Sequence, residues 1–246
     1  VAALEPFMIA LVRILAFLLV APPFSYRAIP MTVRGILAIA LAWVLAPTTG
    51  YVLADNDGEL ITRLVVGGAT GAGLGALVLI TLAAVQAAGR LIDLQGGFEM
   101  GVNFDPLSMS QGSAFGRLYE LTAIVILFVS QGYQLVIMGL SRSFRAIPLS
   151  ECVNFAHLGA QLPDVLSQMM VAAVQISGPL IAVLFVTDVG MGLLTRVAPA
   201  LNAFVLGFPL KILVTLVLSA TAVAALPMAV DGLADAAMRL LSRMVG

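Results

Sequence analysis

The sequence predicts an all-α chain that lives in lipid or lies buried inside other protein, and three observations carry that expectation. Apolar residues make up 61% of the 246 and charged residues 10%, with a mean hydropathy of +1.09. A soluble domain holds about 45–50% apolar and about 25% charged residues, so a soluble enzyme with a watery surface is excluded, and so is a disordered chain. The apolar residues gather in six long stretches, roughly Phe7–Pro22, Ile36–Leu53, Leu64–Leu94, Leu118–Leu140, Val165–Val186 and Asn202–Met228. None shows the alternation of a β-barrel strand, the only other structure that satisfies its own backbone in lipid.

A bilayer core of about 30 Å needs about 20 apolar residues as a helix, and most of the six are long enough. The first carries Arg13 in its middle and no clean Ala-x-Ala site follows it, so it does not read as a signal peptide. Because the sequence starts at Val1 rather than Met, a few preceding residues are expected. In the third stretch Gly67, Gly71 and Gly75 recur every four residues. They make a smooth face on which a backbone of this chain or another can approach closely.

Between the third and fourth stretches lies Gln95–Gly116, QGGFEMGVNFDPLSMSQGSAFG, with five glycines, one proline, three phenylalanines and two methionines. Irregular backbone at membrane depth survives only inside protein or along a cavity. Glycine frees that backbone, and Phe and Met fill irregular space. The segment is therefore expected to pack as a deformable apolar stopper rather than as a plain surface connection. In the last stretch Pro209 predicts a kink. Beyond it Val230, Leu233, Ala237, Leu240, Leu241 and Met244 share one stripe, with Asp231 and Asp235 leading and Arg239 and Arg243 trailing. This pattern suits the helix dipole and predicts an amphipathic helix on a surface or a partner.

The usual orientation signal is missing. With both ends on one side, Arg63, Arg142, Arg145, Arg239 and Arg243 face Arg27, Arg34, Arg90, Arg117 and Arg196, five against five. Ordinary multi-span proteins show a cytoplasmic excess. Arg13, Gln86, Arg90, Asp93, Glu120, Gln131, Gln134, Gln175, Asp188 and Lys211 interrupt or edge the apolar runs. Such groups are costly in hydrocarbon and face a bundle interior or a wet cavity. Together they predict helices packed against protein.

Signals for chemistry are poor. The net charge of −1 gives no case for a nucleic-acid partner. One cysteine, Cys152, cannot form an intramolecular disulfide. With one histidine, His157, no His-pair metal site is available, and Cys152 with His157 lacks two further zinc ligands. No Walker A sequence and no Gly-x-Ser-x-Gly elbow occurs. Neither a catalytic set nor a cofactor site is expected.

Four pieces of the chain nevertheless fit one family. They are Arg13–Arg34 (RILAFLLVAPPFSYRAIPMTVR), Asp105-Pro106, Ser143-Phe144 with Ile147-Pro148, and Arg196–Ile212 (RVAPALNAFVLGFPLKI). In this order and spacing the chain resembles the FliR family of the flagellar type III export apparatus, which is homologous to an injectisome family. Ala200 stands where that family often has Gln, and Tyr133 where His is common.

The resemblance implies a structural component of the export gate in the flagellar basal body of the bacterial inner membrane. There it would form, with FliP and FliQ homologues and beside an FlhB-like gate protein, a channel for unfolded flagellar proteins. It implies membrane-associated helical hairpins, with residues 1–175 FliP-like and 176–246 FliQ-like, and Ser177-Gly178-Pro179 as a hinge. By position, the loop 96–116 becomes the channel plug, with Phe98, Met100, Phe104, Asp105, Pro106 and Met109. Expected assembly contacts are Arg13, Arg27, Arg34, Gly67, Gly71, Gly75, Arg196, Asn202, Pro209 and Lys211. The alternative is a small-solute secondary transporter with Asp188 and Lys211 at a substrate site between Pro-broken helices; no inverted repeat supports it.

Overall fold

A computed structural model describes residues 4–46, 53–54, 56–98, 113–146, 149, 155–198 and 203–243. Among them the chain is helical with no strand. The helices are α1 (Leu4–Val20), α2 (Met31–Leu45), α3 (Asp57–Gly96), α4 (Ala114–Val129), α5 (Gly132–Ala146), α6 (Phe155–Val197) and α7 (Ala203–Arg243). Met100, Phe104, Asp105, Pro106, Met109, Cys152 and Asn202 lie outside the described residues.

Local chemistry sets the breaks. Pro22 and Pro23 end α1, since neither can donate to the helix ladder. The connection is pinned from the next helix: Arg34 Nη2 donates to the Tyr26 carbonyl at 2.7 Å. Pro30 stands before α2 in an extended conformation, φ −59° and ψ 147°. Helix α2 packs against α1, and its two buried residues, Ala38 and Ala42, are four apart on one face. Gln131, at φ 61°, turns the chain between α4 and α5, which meet at 77°.

Two compact units result, each with its own core. The first comprises residues 1–82, 127–166 and 231–246. Its interior holds Ile9, Ile14, Phe17, Leu18, Val78, Leu140 and Phe144, with the Arg13 guanidinium 5.0 Å from the Phe144 ring centroid. Leu240 packs with Leu77 and Val165, and Leu233 and Ala237 are buried too. The part of the C-terminal stripe up to Leu240, expected on a surface or a partner, is thus covered by its own chain, while the Leu241 side chain and Met244 lie outside what is described. The second unit comprises residues 83–126 and 167–230, around Val85, Ile92, Tyr119, Leu180, Leu184 and Leu226.

Three sequence expectations change. Among the described residues two helices, Asp57–Gly96 and the Leu162–Val197 part of α6, are long and apolar enough to cross a membrane, or up to four spans if each bent pair counts as one. Most of six stretches were expected to be long enough. Helix α2, at 15 residues, is only about 22 Å long and falls short of a bilayer core. The helix containing Pro209 bends by 55° between Gly207–Ala220 and Ala222–Leu240, not at that proline. The bend lies just ahead of Pro227, which removes the ladder bond to the Val223 carbonyl. Finally, α6 runs unbroken through Ser177-Gly178-Pro179, the expected hinge.

Candidate functional site

The segment expected to be the stopper leaves α3 and re-enters at α4, and the second unit fixes both ends. One face of α3 carries Gln86, Gly89 and Asp93, spaced three and four apart. Each meets the start of α4. Gln86 Nε2 donates to Glu120 Oε2 at 3.1 Å, and Arg117 Nη1 pairs with the same oxygen at 3.1 Å. At Gly89 the two backbones touch: an added Cβ would lie 2.5 Å from the Phe115 carbonyl oxygen and 2.7 Å from the Gly116 N and Cα.

Asp93, fully buried, completes the row. Its carboxylate accepts the Ser113 hydroxyl, the Phe115 N–H at 2.9 Å and the Gly116 N–H at 3.3 Å. Ser113 is itself the N-cap of α4: its Oγ accepts the Gly116 N–H at 2.8 Å, and its carbonyl accepts Arg117 N–H at 3.0 Å. A carboxylate placed against the first N–H groups of a helix also meets the positive end of the helix dipole.

The other end of the segment returns to the same residue. Gly97 takes the left-handed conformation, φ 83°, and Phe98 N–H donates to the Asp93 carbonyl at 3.1 Å. That six-to-one bond with glycine behind the last helical residue is a Schellman cap. The Phe98 ring stands edge-on to Phe115 with centroids 5.2 Å apart, and Phe115 stands edge-on to Tyr119 at 6.5 Å. Helix α7 closes the base: a Cβ on Gly96 would come 2.9 Å from Thr215 Oγ1, and one on Gly97 3.0 Å from the Phe208 ring. Beside it, Asp188 of α6 accepts Lys211 Nζ at 2.6 Å and Gln95 Nε2 at 3.2 Å.

The expected site residues therefore separate. Phe98 stands at the stapled base of the loop. Lys211 holds a carboxylate on the neighbouring helix, the kind of partner a half-buried lysine requires. Gly67, Gly71 and Gly75 face α1 of the same chain, where an added Cβ would meet Ile9, the Arg13 carbonyl at 2.0 Å and the Phe17 carbonyl at 3.0 Å. Arg13 is buried in that same packing. The glycine face and Arg13 are filled within the chain. Arg34 pins the turn after α1, while Arg27, Arg196 and Pro209 are exposed.

Sequence reasoning singled out Asp93 as an interrupting charge without finding its partners. Ser113 was legible as a cap, a serine just before an apolar helix, and Gly97 as a helix stop. Gly89 carried no signal, because a lone glycine in a helix has many readings. Among the described residues no group of three or more His, Cys, Asp or Glu is placed to hold a metal.

Comparison with known proteins gives the family. The model of "Bacterial export proteins, family 1" matches residues 4–237, and the chain belongs to that family. It is 30% identical to the flagellar biosynthetic protein FliR of Bacillus subtilis over 218 residues, 86% of this chain and 83% of the relative. Identity to FliR of Escherichia coli K12 is 29% over 215 residues, 85% and 81% of the two chains. A shorter match, 30% over 142 residues and 56% and 54% of the chains, is to the Yop proteins translocation protein T of Yersinia pestis.

Proposed function

We propose that this chain is a structural component of a flagellar type III export gate. It forms, with FliP and FliQ homologues and next to an FlhB-like protein, the inner-membrane channel through which unfolded flagellar proteins leave the cell. Family membership supports the export role, and the names of its relatives support the flagellar branch. The FliP-like part is residues 1–175 and the FliQ-like part 176–246, the latter containing the whole of the long α7. Arg27, Arg196, Asn202 and Pro209 are its contacts with neighbouring subunits.

The observation that carries the channel reading is the stapled base of residues 99–112. A Gly, Phe and Met segment fixed at both ends can fill a bore and yield without unfolding the helices around it. Its seal consists of dispersion contacts, which have no directional bonds to break. Phe98, Met100, Phe104 and Met109 are the apolar residues of that plug, in a loop that also carries Asp105-Pro106.

Deleting 99–109, or replacing those four residues with Gly or Ser, should leave the complex assembled but leaky to small ions, read as conductance in proteoliposomes. A tight channel after that change refutes the plug. Copurification tests the assembly: the chain should bring FliP and FliQ homologues with it, whereas a small-solute transporter purifies alone.

A further inference from the structure

Helix α2 is too short to cross a bilayer, yet its outward face is apolar. Ala38 and Ala42 are buried on the side that packs against α1. Turned away from α1, Ile36, Ile39 and Trp43 stand three and four residues apart in one exposed stripe, with Val33 and Val44 on its flank. A stripe of this kind is covered by lipid or by another protein.

Charge decides between the two. From Pro6 to Ala54 the sequence holds Arg13, Arg27 and Arg34 and no acidic residue. Arg13 is buried, while Arg27 is exposed just ahead of α2 and Arg34 lies in its first turn. Arg34 gives an N–H to the Tyr26 carbonyl, a neutral acceptor, and among the described residues neither guanidinium meets a carboxylate. The first turn of α2 has no acid of its own, so the positive end of the helix dipole adds to the same side. An apolar stripe with uncompensated positive charge at one end complements a membrane of anionic lipid. The apolar face of a partner protein would leave that charge unanswered. At the other end of the helix is Trp43, the only tryptophan in the chain and 74% exposed, edge-on to Phe7 with centroids 6.2 Å apart. Tryptophan, apolar in body and polar at its N–H, gathers at the level of the lipid headgroups.

Length fixes the orientation. Arg34 and Trp43 lie about 13.5 Å apart along the helix axis, and the hydrocarbon core is about 30 Å thick. The pair cannot reach opposite interfaces. Upright, the helix would hold one of the two in hydrocarbon; lying along the surface, it keeps both among the headgroups. The far side, which a free interfacial helix turns to water, is covered here by α1.

We propose that α2 is an interfacial anchor, lying along the membrane surface with Ile36, Ile39 and Trp43 at the acyl boundary and an anionic lipid headgroup held at Arg27 and Arg34. This rests on the membrane placement proposed above and not on the channel. Arg27, assigned above to a subunit contact, stands where that contact gives way to headgroups.

The test uses the complex that copurifies with this chain, in vesicles of phosphatidylcholine and phosphatidylglycerol. The emission of Trp43 is obtained as the difference from the Trp43→Phe complex, and Ile36→Trp in the Trp43→Phe background reports the other end of the stripe. Lipids carrying a nitroxide near the start or at the end of an acyl chain serve as quenchers. Both positions should be quenched more by the shallow label, and in the same ratio. An upright helix sets the two depths about 10 Å apart, and that result overturns the orientation. Quenching by neither label shows a face covered by protein and overturns the anchor.

The shallow label on phosphatidylglycerol should quench position 36 about two- to fivefold more than the same label on phosphatidylcholine, the enrichment that a surface arginine supplies. Arg27→Gln should at least halve that excess. Equal quenching by the two lipids, or an excess that Arg27→Gln leaves intact, overturns the headgroup site. Absence of FliP and FliQ homologues from the complex would refute the export-gate reading, while the quenching would still decide the depth of Trp43.

Discussion

Gly71→Ala gives the sharpest test of the packing in the first unit. The new Cβ would lie 2.0 Å from the Arg13 carbonyl oxygen, 2.8 Å from its carbon and 3.1 Å from its Cα. Non-bonded heavy atoms rest at about 3.5 Å, so α1 and α3 would have to part by about 1.5 Å at that point. A gap of only about 0.5–1 Å already forfeits a quarter to a half of each dispersion contact. The atoms in the way are backbone, which cannot swing aside as a side chain does. Overpacking costs about 1–3 kcal/mol when side chains give way, and this substitution belongs at the upper end of that range. At about 2–4 °C per kcal/mol for a chain of this size, the loss is about 6–12 °C in melting temperature. The assay is heat-induced loss of soluble, detergent-purified complex. Gly232→Ala serves as control, since among the described residues nothing beyond its own helix backbone lies within 4 Å of its added Cβ, and it should be neutral or gain about 0.5–1 kcal/mol from helix propensity. Equal melting of the two variants would refute backbone contact between α1 and α3.

Two further outcomes follow from the same geometry. Lys211→Met should cost about 1 kcal/mol or less, because the Lys211 and Asp188 side chains are 23% and 36% exposed and their attraction is screened; assembly and export should persist, and an assembled complex that exports nothing would instead place Lys211 in transport. Expressed without its partner subunits, the chain should aggregate or be degraded, and a monodisperse detergent-solubilised monomer in light scattering would contradict this.

How far the sequence was legible depends on the range of the interaction concerned. Helix content and the end of the first stretch at Pro22 are local matters of hydrophobicity and backbone chemistry, and both were readable. The partners of Gln86 and Asp93 lie 34 and 20 to 23 residues away in sequence, and the Gln95 that reaches Asp188 lies 93 away, although Lys211, its ion-pair partner 23 residues on, was already set beside it. No spacing rule reaches that far, so these groups could be seen as misfits in apolar helices but not paired. The glycine face announced close approach without naming α1 as the helix that fills it. Pro179 failed as a hinge because a single lost ladder bond inside a 43-residue helix leaves the turns on either side intact. In α7 two prolines compete, and only the tertiary setting selects the bend ahead of Pro227 over one at Pro209.

The length of α6 bears directly on whether this chain can be complete in lipid alone. Its exposed apolar residues begin at Leu162 and Leu166, continue through Met170, Val174 and Phe185, and end at Leu193, Leu194 and Val197. At about 1.5 Å per residue, that series spans about 52 Å of continuous helix. A hydrocarbon core covers about 30 Å. A tilt of about 40°, the upper end for membrane helices, brings the series down only to about 40 Å along the bilayer normal. Some two turns of exposed apolar surface therefore remain outside any lipid that α6 can reach. Water is a poor neighbour for Val197, 85% exposed, and its fellows. Protein is the neighbour that fits. The same reasoning accounts for the even arginine balance, because helices whose apolar length exceeds the bilayer and is met by other subunits are not oriented by loop charge alone.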